Sequence, residues 1–250
     1  MTDNAAKAPP AQHAADTIAA VLDWWQAAGI SHAFHDEPQD WLAPPEPPAK
    51  RKAPANPPAP EPEVHKIGGD PAGWPADPAA FSAWWMAEPS LPGPDRRVAP
   101  RGTAEPELMV LVAMPEAEDG EQLLSGPQGR LIGGIARALE LAEDDLYLAS
   151  ALPAHIVLPD WTAFQDIGLP AIIQHHVALV RPRRLLVLGA GDVLPLLGHD
   201  PAQASPGVHT LSACGVASPV LASFAPDALL ARWQLRAQLW RALLDWTDGD

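Results

Sequence analysis

From Leu108 to Trp246, runs of consecutive apolar residues alternate with runs in which apolar residues recur every three or four positions. The first pattern predicts buried strands and the second predicts helices. Strands are expected at ELMVLVA (107–113), DLYLASA (145–151) and RRLLVLG (183–189), with a further one at VHTLSA (208–213). Helices are expected at 126–141, at 164–180 with Pro170 near its start, in the short stretch DVLPLLG, and from Asp227 to Trp246. Strand and helix in alternation, with continuously apolar strands, predict an α/β fold of three layers, α/β/α, around a mainly parallel sheet. In the last helix Trp233, Ala237, Trp240 and Leu244 form the stripe expected to lie on that sheet.

A different pattern precedes this region. Ile18, Val21, Leu22 and Trp25 fall at i, i+3, i+4 and i+7 between an N-cap at Asp16 and a stop at Gly29, which predicts a short amphipathic helix. Ile30, Phe34 and Trp41 follow on a polar, extended tail. Nine prolines between Ala43 and Pro62 then favour polyproline II. The expected organisation is a partner-docking peptide at 1–42, a disordered proline-rich linker at 43–76, and a folded domain at 77–250 that opens with FSAWWM. An apolar helix on a stiff spacer either serves a partner or folds back on its own domain, because short isolated helices need outside packing.

Charge narrows the partners. The chain carries a formal net charge of −15, with five basic against eleven acidic residues up to position 80 and eleven against twenty beyond it. A protein that binds duplex DNA tightly through phosphates shows a basic face, so DNA binding is expected to be weak or indirect. All eleven basic residues after position 80 are arginines, suited to bidentate pairing. Cys214 stands alone, which excludes an internal disulfide framework, a cysteine-ligated iron–sulfur cluster and a cysteine-rich zinc site. No metal and no cofactor are expected. The N-terminus lacks a signal-peptide core and no apolar run reaches membrane-spanning length, so a cytoplasmic protein without membrane association is expected.

Five stretches, in order, resemble the uracil-DNA glycosylase superfamily, and in particular its cluster-containing bacterial type. They are VAPRGTAEPELMVLVAMPEAED (98–119), LLSGPQGRLIGGI (123–135), LYLASALP (146–153), LVRPRRLLVLGAGDVLPLLG (179–198), and FAPDALL with LWRALL (224–230 and 239–244). The resemblance implies that fold, and it implies an inactive centre. Ala113 stands where the family has a water-activating acid, and Leu124 where an aromatic ring stacks on the flipped base. Ser150 replaces a base-reading asparagine, and Ala225 a histidine that stabilises charge on the base oxygen. The four cluster cysteines are missing too. Glu116, Glu118 and Asp119 follow the first strand as a substitute water activator or as an ordinary solvated acidic loop, and His209 is a further displaced candidate for the missing histidine.

LDWWQAAGISHAFHDEP (22–38), GVASPVL (215–221) and RAQLWRALLDW (236–246) are similar to the psi subunit family of the DNA polymerase III clamp-loader assembly. That similarity implies a non-catalytic adaptor of DNA replication. Its N-terminal peptide would dock on the clamp-loader ATPase subunit (gamma/tau), with the chi subunit as a second partner, through Trp24, Trp25, Ile30, Phe34 and Trp41. The alternatives are a base-excision glycosylase with a rearranged site and a domain that recognises damaged or single-stranded DNA without chemistry.

Other signals carry less. LLVLGAGDVLPLLG has Leu194 in place of the third glycine of a dinucleotide-binding turn. His175 and His176 point to two faces of one helix and cannot share a metal. Trp84 and Trp85 read as packing rather than as stacking platforms for single-stranded DNA. Arg181, Arg183 and Arg184 lie at the amino end of a strand, the wrong end for a substrate site in an open sheet.

Overall fold

The computed structural model describes residues 10–27, 66–94, 96–210 and 219–247. The chain divides into two units, Met1–Ala59 and Pro60–Asp250. In the first, α1 spans Pro10–Ala27. It begins six residues before the expected cap at Asp16, since Pro10 suits a first helical position and the alanines that follow are the best helix formers. Gly29, Ile30, Phe34, Trp41 and the stretch 43–65 lie outside the described residues.

The second unit is already packed at Ile67, ten residues before the boundary expected from proline content. Ile67 is buried and its amide donates to Ile167 O at 2.9 Å. Trp74 donates from Nε1 to Gly68 O at 2.7 Å and packs on Trp84 and His175. Residues 66–76 therefore belong to the folded unit rather than to a linker; apolar burial at Ile67 and Trp74 outweighs the local proline bias. Helix α2 (Pro78–Ala87) follows, its N-terminus capped by Asp77, which accepts from Ala80 N at 2.9 Å.

Six strands form one sheet: β1 (Arg101–Gly102), β2 (Leu108–Val112), β3 (Leu146–Ser150), β4 (Arg184–Leu188), β5 (Gly207–Thr210) and β6 (Pro219–Ser223), in the order β1-β3-β2-β4-β6-β5. The four central strands are parallel and both edges antiparallel. The α/β class and the mainly parallel sheet are as expected. Two strands are not: β1 is only two residues long, and β6 lies in the sheet where no strand was foreseen. The strand expected at 208–213 is described only to Thr210 and sits at the edge.

Successive strand residues point to opposite faces, and each face carries its own apolar cluster. Met109, Leu111 and Val187 join Phe81 and Trp85 of α2 and residues of the helix α5 given below. Leu108, Val110, Leu186 and Leu188 join Ile132 and Ile135 of α3 (Pro127–Ala138) and the C-terminal helices. The helix expected at 164–180 is two, α4 (Trp161–Asp166) and α5 (Leu169–Val180), broken at Gly168, whose φ of 103° no helix continues through. A four-residue helix α6 (Ala190–Val193) and a 3-10 turn (Leu194–Leu197) follow β4. The last helix is likewise two, α7 (Pro226–Ala231) and α8 (Trp233–Thr247), separated by extended Arg232. Arg236 holds the break by donating to Leu229 O and Leu230 O at 2.7 and 2.9 Å.

The stripe expected to pack α8 on the sheet faces the other way. Leu239, Leu243 and Trp246 are the buried side, whereas Trp233, Trp240 and Leu244 are exposed. Both stripes have helical spacing, and the sheet takes the one whose leucines interdigitate with Leu186, Leu188 and Leu221.

His176 on α5 is the buried polar group of the other face. Its ring stacks on Phe81 at 4.1 Å between centroids, and Nε2 shares a hydrogen bond with Tyr147 Oη at 2.9 Å. Nδ1 has no partner among the described residues. Burial, reinforced by neighbouring His175, lowers the His176 pKa to about 3. The unfolded chain thus takes up a proton near pH 6.5 that the folded chain refuses until about pH 3. Stability is full above pH 6.5 and falls through this window at up to about 1.4 kcal/mol per pH unit. Urea unfolding at pH 7, 6 and 5 should show this slope, and His176→Phe should flatten it while costing stability at pH 7; an unchanged slope would exclude His176 as its source.

Candidate functional site

In an open α/β sheet, ligands bind beyond the carboxyl ends of the strands, where the connections diverge. The register brings those ends level here: Val112 lies opposite Ser150 and Leu188, and Leu188 opposite Ser223. Three of the four positions marked by the sequence resemblance gather on this rim: Ala113 follows β2, Ser150 closes β3 and Ala225 sits two residues beyond β6. A Cβ placed on Gly189, after β4, would come within 3.9 Å of the Ala113 Cβ, so the β2 and β4 ends are in close approach.

The rim is closed. Ser150 is buried and its Oγ donates to Leu152 O at 2.7 Å, so the hydroxyl is spent inside the protein. Leu124, the fourth position, is 2% exposed and packs in the apolar cluster with Val112 and Leu188. Its φ of 55° is unusual for a leucine and is held by its own amide, which donates to Asp119 Oδ2 at 2.7 Å.

Of the three acids of this loop, Glu118 is exposed and the other two are turned inward. Glu116 and Asp119 are both buried and their oxygens are filled by local donors. Asp119 accepts from the amides of Glu116, Leu124 and Ser125 and from Ser125 Oγ, at 2.7 to 2.9 Å. Glu116 accepts from the amides of Gly126, Gln128 and Gly129 at 3.0 to 3.2 Å, satisfying the first turn of α3. Glycine is required twice in this approach: a Cβ on Gly126 would stand 2.6 Å from Glu116 Oε2, and one on Gly129 1.8 Å from Leu124 O. The Gly-Pro-Gln-Gly run after two acids is the signal from which this cap could have been read.

Beside this loop lies a cleft of about 160 Å³ bordered by Arg96, Pro115, Glu116, Asp119 and His155. It falls below the 300 Å³ or so of ordinary small-molecule sites. His155 Nδ1 is engaged with Pro115 O at 3.0 Å. His209 lies on edge strand β5, its Nε2 bonded to Ser205 O at 2.8 Å and its ring 5.2 Å from that of His199. The register does not bring it to the rim.

A larger cleft of about 670 Å³, with no counterpart in the expected sites, runs between the β1–β3 edge and α3. Its floor is Ile132, Ala136, Leu146 and Leu148, and Gly133 leaves it open. Arg101 and Arg137 face Glu143 and Asp144 across it, and Arg101 is already bonded to Leu123 O and paired with Glu143 at 3.6 Å.

The remaining expected residues divide cleanly. Trp85 is buried and Trp84 packs on Trp74 and Phe81, as a packing role requires. His175 is bonded to Pro75 O at 2.8 Å and His176 to Tyr147, so the two imidazoles serve different contacts. Arg181 pairs with Glu105, Arg183 with Glu107 at 2.9 Å, and Arg184 lies over the Trp246 ring at 5.8 Å. No group of three metal-ligating side chains is found among the described residues, and no described helix is long and apolar enough to cross a membrane.

In α1 the outcome is the reverse of the rim. Ile18, Val21, Leu22, Trp24 and Trp25 are all exposed, Trp24 at 67%, and the two indoles meet edge to face at 6.4 Å. Ile30, Phe34 and Trp41 lie outside the described residues. Comparison with known proteins finds no family model that matches the chain and no curated protein significantly similar to it.

Because Asp119 holds three amides at once, Asp119→Ala strands buried donors that cost about 1–3 kcal/mol each. A loss of about 3 kcal/mol or more in urea unfolding is expected. A loss under about 1 kcal/mol would show that the loop stands without its carboxylate.

Proposed function

We propose that the chain is a non-catalytic adaptor of the replication machinery, psi-like, built on a three-layer α/β/α domain of uracil-DNA glycosylase type. Its N-terminal peptide docks on the clamp-loader ATPase subunit. The observation that carries this reading is α1, which presents Ile18, Val21, Leu22 and Trp25 as one apolar stripe, with Trp24 beside it, all exposed. A helix of this size gains most of its stability by packing that stripe, and aromatic side chains supply most of the energy when a groove accepts it. Trp24 and Trp25 are the anchors, continued by Ile30, Phe34 and Trp41 along the peptide. No cofactor or metal takes part.

The rim supports the same reading from the other side. A glycosylase needs an acid to orient water, a ring to hold the flipped base, and polar groups to read it. Ala113, Leu124 and Ala225 offer none of these, and the Ser150 hydroxyl is committed to Leu152 O. Glu116 and Asp119 accept local hydrogen bonds on every oxygen, and a carboxylate so engaged is poorly placed to take a proton from water.

The test mixes the purified chain with the clamp-loader ATPase subunit, and separately with single-stranded and mismatched uracil-containing DNA at low salt. A stable complex is expected, weakened tenfold or more by Trp25→Ala, equivalent to at least about 1.4 kcal/mol. No base release is expected. Binding indifferent to Trp25→Ala would overturn the docking role, and base release abolished by heat denaturation would restore the enzyme.

A further inference from the structure

Helix α8 has two apolar sides, and only one of them is used. Leu239, Leu243 and Trp246 are buried against the sheet. On the opposite side Trp233 is 66% exposed, Trp240 40% and Leu244 41%, with half-buried Ala237 between them. The four positions are spaced four, three and four residues apart, the a/d rhythm of a coiled-coil seam. Two indoles and a leucine exposed along one line of a helix form the kind of apolar patch that marks interaction surfaces.

The order of these residues says what the other half is. A four-three-four spacing reads the same in both directions, so a second α8 laid antiparallel meets it in register. Trp240 of one copy then faces Ala237 of the other, and Trp233 faces Leu244: each bulky ring meets a smaller side chain, and no ring meets a ring. The flanks agree. Arg241 of one copy comes beside the uncharged Gln234 of the other, and the end carrying Asp245 comes beside the start carrying Arg232. Arg236, a third cation on the flank, is already bonded to Leu229 O and Leu230 O. In a parallel pair, by contrast, Trp240 would face Trp240 and Arg241 would come beside Arg236.

We infer that the exposed side of α8 is a self-complementary seam through which two copies of this chain associate as an antiparallel, two-fold pair. The contact is isologous, each copy giving and receiving the same residues, so it closes at two. Two short helix faces bury less than a standard interface, so the pair is weak and responds to protein concentration. The seam belongs to α8 and is independent of the docking proposed for α1.

Sedimentation velocity of the full chain from about 1 to about 200 μM tests this, because a self-association must follow mass action. The weight-average mass should rise from monomer towards dimer and stop there. Trp240→Ala and Ala237→Trp should each raise the midpoint concentration at least tenfold. Combining the two substitutions in one chain exchanges ring and small side chain across the seam, again opposing one to the other, and should restore most of the loss. Gln234→Glu, on the exposed flank, gains a cation opposite it and should tighten the pair in low salt. Since these positions are exposed or half-buried, thermal melts should show every variant folded; should the tryptophan variants unfold, Gln234→Glu decides alone. A monomer throughout, assembly beyond two copies, or a double exchange no better than its parents would overturn the seam. So would an association abolished by Trp24→Ala with Trp25→Ala, which would place self-contact on α1 instead.

Discussion

Past Val112 the main chain leaves the sheet and must satisfy its amides without a neighbouring strand. Two carboxylates do this. Asp119 gathers the amides of Glu116, Leu124 and Ser125, and Glu116 gathers those of Gly126, Gln128 and Gly129. A buried charge is tolerated only when its lone pairs are filled, and here the first turn of α3 adds the positive end of its dipole. Much else follows from this knot. Leu124 is held in a backbone conformation that leucine avoids, and from there its side chain fills the rim between β2 and β4. Gly126 and Gly129 are needed because the carboxylate and the Leu124 carbonyl come so close. The helix that starts here supplies Ile132 and Ile135 to one face of the sheet.

How much of this could be read from the sequence depended on whether a local signal had one structural solution. Runs such as LMVLV and RLLVL have one, a strand buried on both faces, and β2, β3 and β4 are where they were expected. Strand β6 was invisible because PVLAS opens with proline and ends in small residues, and it becomes a strand only because β4 and β5 pair with it on either side. For α8 the periodicity allowed two solutions, and the stripe with the larger rings was the wrong one. Glu116 and Asp119 looked like a solvated loop because acids usually are solvated; only the fold shows six amides converging on them. The exposed tryptophans of α1, by contrast, follow directly from a short amphipathic helix, while Ile30, Phe34 and Trp41 lie beyond what is described.

Under the glycosylase-type fold proposed above, the rim residues do not supply that chemistry. An acid at Ala113 would not by itself supply that chemistry, because Leu124 offers no ring to stack on a base and fills the space beside Val112 and Leu188. Freeing that space means releasing Leu124 from Asp119, which in turn loosens the turn that starts α3. Base reading fails separately, since Ser150 is a buried donor already matched to Leu152 O. Glycosylase chemistry at this rim would therefore need several coupled changes.

On the surface, α1 and α8 each line up several exposed apolar side chains. With a net charge of −15, copies of the chain repel one another, which opposes casual association. Against that background, lines of exposed indoles are the apolar surface most able to offset the repulsion when a matching surface covers them. Both α1 and α8 expose two tryptophans on helices that also expose Leu22 and Leu244. The two differ in what they ask of a partner. The α8 seam is symmetric and short, so its own reverse suffices. The α1 stripe, with adjacent indoles at one end and isoleucine at the other, has no such symmetry, and the docking proposed for it is accordingly to a different protein.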